Sequence, residues 1–150
     1  MNILFVCTGN TCRSPMAEAL LKAKIKAQSQ LKAIIRSAGL SVVYGSKLSF
    51  ETKEILKMNG LSSRHVPTQI TRKLVEWADL ILTMTTDHAE AIISATGKDN
   101  VYSLGEYVGT RNVSDPYHMG INAYKITFNE LNDYTDKLIE KLLYLKRKSK

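Results

Sequence analysis

Apolar residues in this chain come in short runs, separated by longer stretches in which they recur with helical period. Residues 3–6, Ile3-Leu4-Phe5-Val6, form a short, partly β-branched run suited to a buried parallel strand. Met16, Leu20, Ala23 and Ala27 then recur at helical spacing, with Pro15 where a first helical turn tolerates it. Residues 31–37, with Ala33-Ile34-Ile35 inside, predict a second strand ending at Ala38-Gly39. Residues 49–59 predict a helix closed by Gly60. A short extended piece is expected near His65 and Val66, and Thr71 can cap a helix carrying Leu74, Val75 and Ala78. Residues 79–84 predict a strand around Leu80-Ile81-Leu82. Thr85 or Thr86 can cap the next helix, which holds Ala89, Ile92 and Ile93 and stops at Gly97. Residues 100–103 make a short last strand.

Residues 104–121, with Gly105, Gly109, Pro116 and Gly120, predict a long irregular segment, and long segments of this kind are often functional. The final helix carries one continuous stripe: Tyr124, Phe128, Leu131, Tyr134, Leu138, Leu142 and Leu145. The stripe reads as core, and Trp77 and Tyr107 read as packing residues. Strands alternate with helices throughout, which implies a parallel sheet with helices on both faces and right-handed crossovers. At 150 residues the chain suits one domain, residues 1–150, with a full core. Open sheets of this class bind ligands at the carboxyl ends of their strands.

Composition narrows the class. The chain is 44% hydrophobic and 23% charged, in the globular range. The first apolar run is too short for a signal peptide and has no basic segment before it, and no stretch approaches a membrane span. Cys7 and Cys12 are too close together to form a structural disulfide framework, so a reducing, cytoplasmic setting is expected. His65, His88 and His118 are scattered, so no metal and no cofactor are expected. The net charge is +7, with much of the excess in the last ten residues. Cations there suit a helix C-terminus, and no aromatic interleaving points to nucleic acid.

The chemistry lies between the first strand and the first helix, in Cys7-Thr8-Gly9-Asn10-Thr11-Cys12-Arg13-Ser14. Gly9 permits a tight turn. The loop amides from Thr8 to Ser14 can point inward as an anion nest, and the following helix adds its positive end. Arg13 offers a planar fork matched to phosphate oxygens. In that field Cys7 is expected to react as a thiolate and to attack phosphorus, giving a phosphocysteine. Ser14 either caps the helix or donates to the sulfur, roles that can coexist. Such a reaction needs a general acid for the leaving atom and then a base for water. Asp115, in Ser114-Asp115-Pro116-Tyr117, is the best placed carboxylate, since it lies in the long irregular segment and Pro116 holds it extended. Taken alone, an Asp-Pro pair is as readily a turn.

Together these residues carry a resemblance. The run from Val6 to Glu18, with Ser14-Pro15-Met16-Ala17 after the loop, resembles the signature of the low-molecular-weight protein tyrosine phosphatases. Arg36-Ser37-Ala38-Gly39 and Asp115-Pro116-Tyr117 match the family's later landmarks in order, so the resemblance spans essentially the whole chain. It implies a three-layer fold: a four-stranded parallel sheet of flavodoxin-like winding with helices on both faces. It also implies Cys7 as nucleophile, Arg13 as phosphate clamp and Asp115 as acid and base. Asn10 and Ser37 would support the loop from behind.

Thr11 bears on substrate choice. Members of the family that act on phosphotyrosine usually carry a larger aliphatic residue at this position, and those that act on phosphoarginine carry Thr. A branched hydroxyl at the rim narrows the pocket and offers a guanidinium a polar contact. The resemblance therefore points to the protein arginine phosphatase branch, with phosphotyrosine as the alternative substrate. The arginine-acting members often follow Asp-Pro-aromatic with two glycines, whereas here His118-Met119 come first and glycine only at Gly120. Tyr117 is expected at the pocket mouth. Cys12 is either a small buried residue or a redox partner that captures oxidised Cys7. An arsenate reductase would need further cysteines, and a binding module would not need Cys7, Arg13 and Asp115 together. The expected partners are phosphorylated protein substrates, with no nucleic acid or membrane, and the protein is expected to be a monomer.

Overall fold

β1 (Asn2–Cys7) is the central strand, and its side chains alternate between two cores. Ile3, Phe5 and Cys7 face one side, while Leu4 and Val6 face the other. In the computed structural model, which describes residues 1–150, β1 is followed by α1 (Arg13–Lys26), β2 (Ile34–Gly39), α2 (Phe50–Met58) and α3 (Arg72–Trp77). Then come β3 (Leu80–Thr83), α4 (Thr86–Thr96), β4 (Val101–Ser103), α5 (Leu104–Tyr107) and α6 (Ile121–Lys148). The four strands are all parallel, in the order β2-β1-β3-β4, which is the flavodoxin-like winding. The larger core packs α1, α2, α5 and α6 on one face, and the smaller packs α3 and α4 on the other. No helix is long and apolar enough to cross a membrane.

Cap chemistry sets most boundaries. Ser49, Thr71 and Thr85 each accept an amide of the first turn, at the starts of α2, α3 and α4. Gly97 ends α4 in the left-handed conformation. Four sequence expectations shift. The second strand starts at Ile34 rather than residue 31, because β1 begins at Asn2 and offers residues 31–33 nothing to pair with. The amides of Gln30 and Leu31 bond instead to the Gln28 side chain. No strand forms at His65–Val66, and only an isolated bridge joins Gly39 to Gln69. The segment after β4 holds one turn of helix, α5, capped by Ser103.

The fourth shift concerns helix faces. On α1 the buried residues are Arg13, Ser14, Pro15, Met16, Ala17, Leu20 and Leu21, while Ala23 and Ala27 are exposed. Two adjacent rows are covered because α1 meets both the sheet and α6. On α6 the stripe from Tyr124 to Leu142 is buried, but Leu145 is 43% exposed where the helix runs past the core. Trp77 is half-buried under Arg36, whose guanidinium lies 4.5 Å from the ring centroid. Tyr107 stacks with Tyr102 and carries Lys141 above its ring.

The end of the α6 stripe can be tested directly. Leu138→Ala should lower unfolding free energy by about 2–5 kcal/mol, as a large-to-small change in a closed core does. Leu145→Ala should stay within about 0.5 kcal/mol of the parent. Urea denaturation of both variants measures the difference.

Candidate active site

β1 ends in the core at Cys7, and α1 starts only six residues later at Arg13, so the intervening loop folds tightly at the carboxyl edge of the sheet. The residue that turns the chain is Asn10, in the left-handed region at φ 57°, and not Gly9. A Cβ on Gly9 would meet only Thr11 Oγ1, at 3.8 Å, so neither conformation nor packing demands glycine there. Gly39, at the end of β2, is the glycine the loop requires. A Cβ on it would come within 2.6 Å of the Thr8 carbonyl oxygen.

Asn10 is fully buried and every polar group of its side chain is used. Its Nδ2 donates to Ser14 Oγ at 2.8 Å and to Ser37 Oγ at 3.0 Å. Its Oδ1 accepts the Thr68 amide at 2.9 Å. Ser37 Oγ–H donates to Glu18 Oε1 at 2.5 Å, and His65 Nε2 donates to the Asn10 carbonyl at 2.8 Å. Ser14 Oγ accepts from Asn10, so its hydrogen is free for Cys7 Sγ, 2.8 Å away. The Asn10 amide also reaches the sulfur, at 3.3 Å. Two donors thus converge on Cys7 Sγ.

Above the sulfur opens a cleft of about 340 Å³ lined by Cys7, Thr8, Gly9, Thr11, Cys12 and Arg13 of the loop. Ser41, Val43 and Ser46 form one wall, and Asp115 and Tyr117 another. A larger groove lies behind the loop, between α1 and residues 56–65, and contains neither Cys7 nor Arg13. Arg13 is buried, and its Nη2 lies 3.6 Å from Asp115 Oδ2, whose side chain is 59% exposed. The segment bearing Asp115 is tied down just before it. The Val113 amide bonds to the Met84 carbonyl after β3, and Ser114 Oγ bonds to Thr127 on α6 at 2.6 Å. Asp115 Oδ1 accepts the Tyr117 amide at 3.1 Å, which fixes the carboxylate over the cleft. His118 adopts φ 61° and stacks on Tyr117 with ring centroids 3.9 Å apart.

Of the residues singled out from the sequence, Cys7, Thr8, Gly9, Thr11, Cys12, Arg13, Asp115 and Tyr117 line the cleft, while Asn10, Ser14 and Ser37 lie beneath or behind it. Cys12 is a buried free thiol 3.3 Å from the Tyr124 hydroxyl. Burial, and then the bond to Cys12, pushes the Tyr124 phenol up, so it stays a neutral donor. Glu18 falls inside the signature run but the sequence assigns it no role, and His65, Thr68 and His88 carry no local signal. These last three reach the loop across long sequence separations, as His65 does to Asn10 and His88 to Thr8. No group of acidic, histidine and cysteine side chains could hold a metal ion.

The Asn10 network predicts a large local cost. Asn10→Ala removes the donors to the Ser14 and Ser37 hydroxyls and leaves the Thr68 amide without its acceptor, and should destabilise the fold by about 2–5 kcal/mol. Asn10→Gly relaxes the left-handed backbone and should recover only about 1 kcal/mol. Thermal and urea unfolding of the two variants separate side-chain bonding from backbone strain.

Comparison with known proteins agrees with this geometry. Residues 2–149 match the profile of the family described as low molecular weight phosphotyrosine protein phosphatase. The chain is 42% identical over 146 residues to a protein-arginine-phosphatase of Bacillus subtilis, covering 95% of this chain and 97% of that one. It is 37% identical over 142 residues to the low molecular weight protein-tyrosine-phosphatase PtpB of Staphylococcus epidermidis, covering 92% and 96%. Among solved structures, a Cys-to-Ser mutant of the YwlE arginine phosphatase with a phosphorylated active-site serine superposes with a TM-score of 0.88. It shares 41% identity and 95% coverage of both chains. This chain therefore belongs to the low molecular weight phosphotyrosine protein phosphatase family.

Proposed function

We propose that the protein is a cysteine-dependent phosphoprotein phosphatase that acts on phosphoarginine. One observation carries the reading: Cys7, Arg13 and Asp115 line a single cleft at the carboxyl edge of the sheet. In the first step Cys7 Sγ attacks phosphorus, forming an S–P bond as the P–N bond breaks. Arg13 and the loop amides hold the phosphoryl oxygens. The phosphate competes with Asp115 for Arg13; the released carboxylate takes up a proton from solvent and delivers it to the departing nitrogen. Water then attacks the phosphocysteine, Asp115 takes its proton, and phosphate leaves. Ser14, which already donates toward the sulfur, stabilises the returning thiolate.

The substrate assignment rests on Thr11, which lines the cleft wall beside Cys7, and on the likeness to protein-arginine-phosphatases. A guanidinium leaving group is polar and slim, and the Thr11 hydroxyl suits it better than it suits an apolar ring. The likeness to PtpB keeps phosphotyrosine as the second reading. It would gain ground if the Tyr117–His118 stack offered an aromatic substrate a wall.

Two tests follow. Asp115→Asn should slow turnover by roughly 10²–10⁴-fold, the usual worth of general acid–base catalysis. The loss should shrink on substrates with good leaving groups, and mass spectrometry of quenched reactions should find phosphate on Cys7. Equal losses on good and poor leaving groups would remove Asp115 from proton transfer.

Thr11→Ile deletes the hydroxyl and adds apolar surface. The ratio of kcat/KM on phosphoarginine to that on phosphotyrosine, in peptides of equal flanking sequence, should fall roughly 5- to 30-fold. An unchanged ratio, or a parent that already prefers phosphotyrosine strongly, replaces the arginine reading with the tyrosine one.

A further inference from the structure

His88 is 9% exposed, lies in the first turn of α4, and plays no part in the chemistry described above. Its Nε2 lies 2.9 Å from Thr8 Oγ1, on a residue that lines the cleft next to Cys7. Its Nδ1 is buried without a hydrogen-bond partner. A proton on Nδ1 would be an N–H donor with nothing to donate to, and a second proton would add a buried positive charge. Four groups around the ring bear on that charge: Thr8 of the loop, Arg13 of α1, Asp115 of the segment before α6, and Asp87 of α4 itself. Burial, and then the Arg13 guanidinium, holds the imidazole below its ordinary value, against the smaller pull of Asp115 and Asp87. The orphaned Nδ1 favours a neutral ring with its single proton on Nε2, the nitrogen that has a partner.

That polarity determines what Thr8 can offer. A hydroxyl has one hydrogen to donate and lone pairs that accept. When Nε2–H donates to Thr8 Oγ1, the Thr8 hydrogen is free to turn into the cleft. With the opposite tautomer the hydroxyl would donate to the ring and present only lone pairs to an incoming phosphate. We propose that His88 is a positioning residue that holds the Thr8 hydroxyl as a hydrogen-bond donor to phosphate. This role rests on the phosphatase reading of the same cleft. It also accounts for a histidine, rather than an apolar residue, beneath a loop where an unpaired ring nitrogen carries a cost.

The test joins a tautomer measurement to a binding cycle. A two-bond proton–nitrogen correlation spectrum of the intact protein should show His88 as the Nε2–H tautomer; an Nδ1–H tautomer overturns the proposal without any mutation. Inorganic phosphate binding, measured by calorimetry at neutral pH, should weaken roughly 3- to 10-fold in Thr8→Val and in His88→Leu. In the double variant His88→Leu should add little, because its effect passes through the Thr8 hydroxyl. His88→Gln, whose amide can donate in place of Nε2–H, should restore most of the affinity. Additive losses in the double variant, or a His88→Leu protein of lower Tm with unchanged phosphate affinity, assign His88 to packing alone. Those outcomes leave the phosphatase reading intact. A parent protein that binds no phosphate overturns both.

Discussion

The rest of the site depends on how the sulfur of Cys7 is held. It sits at the end of a buried strand, where an isolated charge would be expensive, and receives hydrogen bonds from Ser14 and the Asn10 amide. Those donors are positioned by Asn10, which is itself held in a left-handed turn by four partners from separate parts of the chain. Removing any one leaves a buried polar group unpaired, so the network is stable only when complete. The geometry of the loop also dictates its neighbours. Gly39 must lack a side chain because the Thr8 carbonyl occupies the space, and His65 and the Thr68 amide bond to Asn10.

Around this fixed base the cleft is assembled from elements of different rigidity. The loop joins a central strand to a helix packed against both the sheet and α6. Asp115 comes from a segment that is irregular but anchored at Val113 and Ser114. The acid is therefore exposed at its tip and fixed at its root. Its contact with the buried Arg13 spans the cleft where a phosphate would sit, so the same cation serves the carboxylate in one state and the substrate in another.

The polar residues beneath the cleft divide into two sides. Asn10, Ser37, Glu18 and His65 brace the loop from the β2 side, and His88 meets it from α4 through Thr8. Asn10 and His65 lie between elements and His88 in the first turn of α4, where side chains can reach backbone and loop groups that strands and helices leave unpaired, while Ser37 and Glu18 reach in from β2 and α1.

Local patterns determined much of this protein from sequence alone. The alternation of apolar runs and helical stripes located all four strands and the four longest helices, because a buried strand and an amphipathic helix have distinct periods. The spacing of Cys7, Arg13 and Ser14 marked the loop, since nucleophile, clamp and helix start lie within eight residues. Asp115 was legible only as a carboxylate in the irregular segment, and its place over Arg13 had to come from the fold. Tertiary structure alone decided the start of β2, which depends on where β1 begins, and the face of α1, which depends on the helix beside it. It also decided that Asn10 rather than Gly9 makes the left-handed turn, because the cost of that conformation is offset by bonds to Ser37, Thr68 and His65. His65 and His88 carry no local signature. A hydrogen bond formed across tens of residues leaves no period or spacing in the sequence, and only the folded chain brings its two ends together.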